Sequence, residues 1–143
     1  MWDDSGNSFL KGTGPHTSVL DPDGTPNHII DITIGATVDV QWTFGGPGLG
    51  SLDLAQFTVT LVADPVLPPP PENTVIGVVV VPGTVTSVPP APTTYDASFT
   101  IAPNQLPVGA YRLTTLITCD EGGVSVAVAG FHDGPIIQIR PAP

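Results

Sequence analysis

Ala36-Thr37-Val38-Asp39-Val40-Gln41-Trp42-Thr43-Phe44 is the stretch that decides how this chain folds. Val38, Val40, Trp42 and Phe44 occupy every second position, with Thr37, Asp39, Gln41 and Thr43 between them. A strict period of two is the signature of a strand with one face in a core and one in water. Gly45-Gly46-Pro47-Gly48 then stops it with turn chemistry. The same alternation returns on both sides: Ile30, Ile32 and Ile34 around Asp31 and Thr33, then Phe57, Val59 and Leu61 around Thr58 and Thr60. Tyr95, Ala97, Phe99 and Ile101 form another such run, Tyr111 to Cys119 another. Val124, Val126 and Val128 follow, and Ile136 to Arg140 closes the series. The 18 prolines and 16 glycines leave little room for helices, and only Ser51 to Gln56 predicts a helical turn. Short strands at regular spacing predict an all-β chain whose sheets pack face to face.

Leu106-Pro107-Val108-Gly109-Ala110-Tyr111 puts a tyrosine just after a glycine turn, at the start of a long strand. This resembles the tyrosine corner of immunoglobulin-like and fibronectin-type domains, whose hydroxyl bonds back to nearby backbone. Trp42, central in its strand, matches the core tryptophan of such sandwiches. The resemblance covers about residues 28 to 140. It implies an immunoglobulin-like antiparallel β-sandwich of about 7–9 strands, with Trp42 and Tyr111 in structural roles. The paired core cysteines of antibody domains are absent, so the resemblance is one of architecture.

Residues 1–27 are polar and without period, which predicts an extended N-terminal arm ahead of a sandwich domain at 28–143. Trp2, Phe9 and Leu10 interrupt that polarity and are candidates for anchoring the arm on a neighbour.

Charged residues make up only 11% of the chain, against roughly 25% in ordinary soluble domains, and the net charge is −10. Lys11, Arg112 and Arg140 are the only cations. Such a chain is repelled by phosphate backbones and anionic bilayers, so neither nucleic acid nor membrane is an expected partner. A surface with so few tryptic sites also suits a particle exposed to proteases. The start of the chain carries no basic, apolar leader, so the expectation is a product of the cytoplasm, exported, if at all, without a cleavable signal.

Polar constellations are weak. Asp21-Pro22-Asp23-Gly24 has the opening of a calcium loop, but no later glutamate completes it, and the tetrad also reads as a turn. His132 and Asp133, read as a loop, and Asp120 with Glu121, read as a hairpin turn, offer one imidazole and three carboxylates to a metal. A hairpin places its turn at the opposite end of its strand, which counts against a joint site. Cys119 beside Asp120 and Glu121 is in the wrong field for a thiolate. No serine stands in a nucleophile elbow and no phosphate loop precedes a helix. No catalytic residue, metal or cofactor is assigned, and a non-enzymatic role is expected.

Val78-Val79-Val80-Val81 does not alternate. In a sandwich strand two of these valines point outward, an aggregation-prone edge unless something covers it. Prolines at 65–71 and 82–92 act as guards that keep pairing short. The expectation is a structural or interaction subunit of a fibre, tail-like particle or shell. It would bind a second copy of itself or another protein through Trp2, Phe9, Leu10 and Val78 to Val81. The alternative is a carbohydrate-binding module using Trp2, Tyr95 or His132.

Overall fold

The computed structural model describes residues 2–3, 11–21, 26–46, 49–66, 73–86, 91–122 and 124–142. Among the described residues nine strands run in chain order: β1 (Trp2–Asp3), β2 (Lys11–Leu20), β3 (Ile29–Asp31), β4 (Ala36–Gly45), β5 (Gln56–Pro65), β6 (Thr74–Pro82), β7 (Thr93–Ile101), β8 (Gly109–Glu121) and β9 (Val124–Arg140). A single 3-10 turn, Leu49–Leu52, stands a little before the helical turn expected at 51–56, where Gln56 already opens β5. Among the described residues no helix is long and apolar enough to cross a membrane.

The large sheet has the order β1-β9-β8-β5-β6, with β3 pairing parallel to β9. The small sheet is β2-β4-β7, antiparallel throughout. Alternation along β4, β5, β7 and β8 sends one set of side chains from each sheet into a shared interior. Phe57 on β5 reaches across to the small sheet. Its ring lies 5.4 Å from Trp42, edge on, 5.7 Å from Phe44 and 4.8 Å from Tyr95. Trp42 and Tyr95 are cross-strand partners in the β4–β7 register and stack at 6.0 Å. Removing one such ring costs about 3–5 kcal/mol, a large share of the roughly 5–15 kcal/mol that holds a domain folded.

Tyr111 is buried and donates its hydroxyl hydrogen to the Pro107 carbonyl at 2.8 Å. Together with the two packed sheets and the central tryptophan, this tyrosine corner makes the chain an immunoglobulin-like β-sandwich. Gly35 enters β4 at φ +80°, and a Cβ there would run into the Ile101 carbonyl oxygen. Only glycine fits that entry.

Three sequence expectations change. The arm expected over 1–27 contains an integral strand, because Lys11–Leu20 pairs with β4 and buries Val19. Gly12, Gly14 and Pro15 hid its period, and its register shifts between Thr13 and His16. Ile34 is exposed in the turn after β3 rather than in a strand, since the Asp31 carbonyl accepts from the amides of Ile34 and Gly35 and turns the chain. Finally, the loop expected at His132-Asp133 lies within β9, which runs unbroken for 17 residues. A register shift between Arg112 and Thr114 absorbs the irregularity there.

Thr115 on β8 is fully buried, and among the described residues its hydroxyl has no hydrogen-bond partner. Thr115→Val keeps the shape and removes an uncompensated polar atom, and should raise unfolding stability by about 1 kcal/mol in urea titration. Tyr111→Phe should lower it by a similar ~1 kcal/mol, through loss of the corner hydrogen bond. Burial, with Cys119 and Asp53 adding to it, pushes Tyr95 up to about 12. Burial, reinforced by Asp120 and Glu121, pushes Cys119 up to about 11. Both groups fold in the neutral form, so their contribution is complete below about pH 9, where the unfolded thiol begins to ionise. Stability should then fall as pH rises toward 12, and Cys119→Val should move the onset of alkaline unfolding upward.

Candidate interaction surface

A sandwich has two outer faces, and here they differ in chemistry. On the small sheet, β4 and β7 present Thr37, Asp39, Gln41, Thr43, Thr94, Asp96, Ser98 and Thr100 outward in paired rows. These groups satisfy one another: Ser98 donates to Asp39 at 2.6 Å, and the Thr43 and Thr94 hydroxyls meet at 3.0 Å. This is an ordinary solvated face.

The outer face of the large sheet is apolar. Val75, Val78 and Val80 on β6 are 55–58% exposed, and Leu116 on β8 and Ile136 on β9 are 45% exposed. The registers set them in rows. Val78, Thr60 and Leu116 lie side by side across β6, β5 and β8, as do Val80, Thr58 and Thr118. Val75 opposes the half-buried Val62, which opposes Thr114. Counting along β5 and β8 from the central row, the nearest charges are Asp64, Arg112 and Asp120, each four residues away. At about 3.3 Å per residue that is about 13 Å, beyond the roughly 8 Å screening length of physiological salt. Asp133 stands off on β9, within reach of the Thr114 hydroxyl at 3.3 Å.

β6 owes this pattern to a bulge. Its pairing with β5 shifts between Leu61, opposite Gly77, and Val62, opposite Val75, so Ile76 is the extra residue. Val75 and Val78, three positions apart, therefore both face outward, while Ile76, Val79 and Val81 pack on the core. Phe99 lies where a Gly77 Cβ would stand, 3.2 Å away, so glycine lets β6 approach β7. Among the described residues, β6 pairs only with β5 and is the margin of its sheet.

The residues assigned from sequence fall in several places. Val78 and Val80 lie on the apolar face, with Val79 and Val81 beneath it. The Trp2 backbone pairs with Gly130 of its own β9, so this part of the arm docks at home rather than on a neighbour. Phe9 and Leu10 lie outside the described residues. Tyr95 cannot stack on a sugar, since it is buried and donates to the Gly83 carbonyl at 2.9 Å. His132 lies 3.5 Å from the Thr17 hydroxyl across the margin where β2 meets β9, and burial lowers its pKa. His132 pairs opposite Thr115, five residues along β8 from Asp120, or about 17 Å, so the two do not form one metal site. Among the described residues no group of three or more His, Cys, Asp or Glu could hold a metal ion.

Asp21 and Asp31 line an open depression of about 320 Å³ with Asn27, Ile29, Ile34 and Gly35; Asp23 lies outside the described residues. The Thr33 hydroxyl and amide, at 2.6 and 2.8 Å, engage one Asp31 oxygen and hold that carboxyl below its ordinary value. The described lining has no aromatic ring, so it lacks a stacking platform for carbohydrate. Sequence reasoning missed Val75, Leu116 and Ile136. Leu116 carried a signal, as the outward residue of an otherwise Thr-and-Arg phase.

No protein-family model matches the sequence, and no curated protein matches it either. Among solved structures, the chain is similar to the sporulation control protein Spo0M of Bacillus subtilis, with 15% identity and a TM-score of 0.43. That match covers 91% of this chain and 51% of Spo0M, so the chain spans about half that protein's length. It is also similar to an immunoglobulin-like protein from Pseudomonas aeruginosa, with 17% identity, a TM-score of 0.37, and 92% and 96% of the two chains covered.

Proposed function

We propose that this chain is a non-enzymatic assembly subunit, joined to its neighbour through the apolar edge strand β6 and the outer face of the large sheet beside it. The observation that carries this reading is the chemical difference between the two outer faces. One is hydroxyl- and carboxylate-rich and internally hydrogen-bonded; the other presents Val75, Val78, Val80 and Leu116 with no charge at its centre, while Ile136 stands opposite Arg112 at its border and Asp133 opposite Thr114. Contiguous exposed apolar surface marks docking sites, and β-branched residues on an open strand are otherwise an aggregation hazard. The N-terminal arm has the lesser part, because β1 pairs with β9 of its own chain. Trp2, Phe9 and Leu10 extend the contact only where the arm is exchanged.

Light scattering tests this at micromolar concentration. The wild-type chain should have a mass above its 14.7 kDa monomer, and Val78→Lys with Leu116→Lys should bring it to the monomer. Removing residues 1–10, which leaves β2 whole, should retain the assembly. A wild-type monomer, or a lysine variant of unchanged mass, overturns the reading.

A further inference from the structure

The apolar face leaves open which surface the neighbour brings, and the margin strand β6 answers that. Nine residues long, β6 has no charged side chain. β7, the other margin on this side of the sandwich, carries Asp96 in the middle of its outward row. An inward- or outward-set charge on a margin strand is a standard defence against pairing, and β6 lacks it.

Resting on the assembly reading, we infer that the neighbour is a second copy of this chain, joined by antiparallel pairing of β6 with its two-fold mate. Charge permits a second copy at this strand. Two chains of net charge −10 repel, and the uncharged tract Thr74–Pro82, backed by Thr58 and Thr60, is where their backbones meet without opposing carboxylates. An isologous contact also requires one patch to complement itself. The bulge-free tract Gly77–Val81 does so with its axis at Val79. Val78 then opposes Val80 of the second copy, Gly77 opposes Val81, and every pair joins residues of the same face. The outward valines of both copies merge into one apolar strip, while Val79 and Val81 stay over their own cores.

The geometry also limits growth. Pro82 ends β6 at one end, and Pro65 ends β5 beside the Thr74 end, so prolines bound the paired ladder on both sides. The far margin of the large sheet is partly covered, since Trp2–Asp3 and Ile29–Asp31 pair with five residues of β9 there. Two-fold pairing uses the β6 edge of both copies at once, so the product closes as a dimer.

Cysteine cross-linking reads the register directly. The native Cys119 is buried and its thiol is held protonated, so engineered thiols report alone. Directly opposed cross-strand residues have Cβ atoms about 4.5–5.5 Å apart, close to disulfide reach, while diagonal neighbours lie about 7–8 Å apart. An equimolar mixture of Val78→Cys and Val80→Cys chains should give a disulfide-linked dimer at least several-fold faster than either alone. Leu116→Cys should give none, because edge pairing separates the two β8 strands by five strand spacings, about 24 Å. Scattering should show twice 14.7 kDa for the wild type. An oligomer in which the 78/80 mixture fails to cross-link overturns the edge pairing and leaves the assembly reading standing. Cross-linking at Leu116 in that case identifies stacking of the two faces. A wild-type monomer overturns both.

Discussion

Phe57 is the contact on which the two-sheet arrangement depends. Its ring projects from the start of β5 into three aromatic rings of the opposite sheet, Trp42, Phe44 and Tyr95. Alternation by itself makes only a sheet with an apolar side. It becomes a core when a large group spans the roughly 10 Å gap between sheets and fixes how they face. With that cluster in place, Val38, Val40, Val59, Leu61, Leu113 and Ile117 fill the space around it without exposure. The cost is conceded elsewhere. Among the described residues the Trp42 indole N–H and the Thr115 hydroxyl are buried without partners, so packing outweighs two hydrogen bonds in this core.

Fixing the inner faces also fixes the outer ones, since successive residues of a strand point to opposite sides. The small sheet spends its outer positions on Thr, Ser, Asp and Gln, which bond to one another across strands. The large sheet places valine and leucine there, between rows of threonine. Threonine keeps β propensity high and adds no charge, so this face is strand-forming throughout and electrostatically neutral at its centre. In a chain with thirteen acidic residues and three basic ones, an uncharged strip of this size is a selective gap in the field.

The strands with clean alternation were legible in the sequence: β4, β5, β7 and β8 begin and end within a few residues of the expected limits. So was the tyrosine corner, because Gly109 and Tyr111 state it locally. β2 was not legible. Its inward positions fall to Val19 and Pro15, and glycines interrupt the rest, so the pattern carries no period even though the strand closes the small sheet. His132-Asp133-Gly134 read as a loop because polar and glycine residues usually mark one. In the structure Gly134 lies where a Cβ would meet the Leu113 carbonyl at 2.8 Å, so this glycine serves close strand packing rather than a turn.

The candidate surface shows the same boundary from the functional side. Four consecutive valines announce that two must face outward, which needs only the period of a strand. Which other residues join them depends on pairing, and pairing is long-range: Leu116 reaches the Val78 row only because β8 and β6 flank β5 in that register. Val75 is the more instructive case. Simple alternation from Val78 would turn it inward, and it faces outward because Ile76 bulges and Gly77 lets the strand close on Phe99. One extra residue in β6 thus adds a third valine to the exposed row. Deleting Ile76 would remove the bulge and restore plain alternation, with Val75 still outward opposite Val62. The apolar face is therefore a property of register, set by the bulge and by the aromatic core that holds β5 and β8 beneath it.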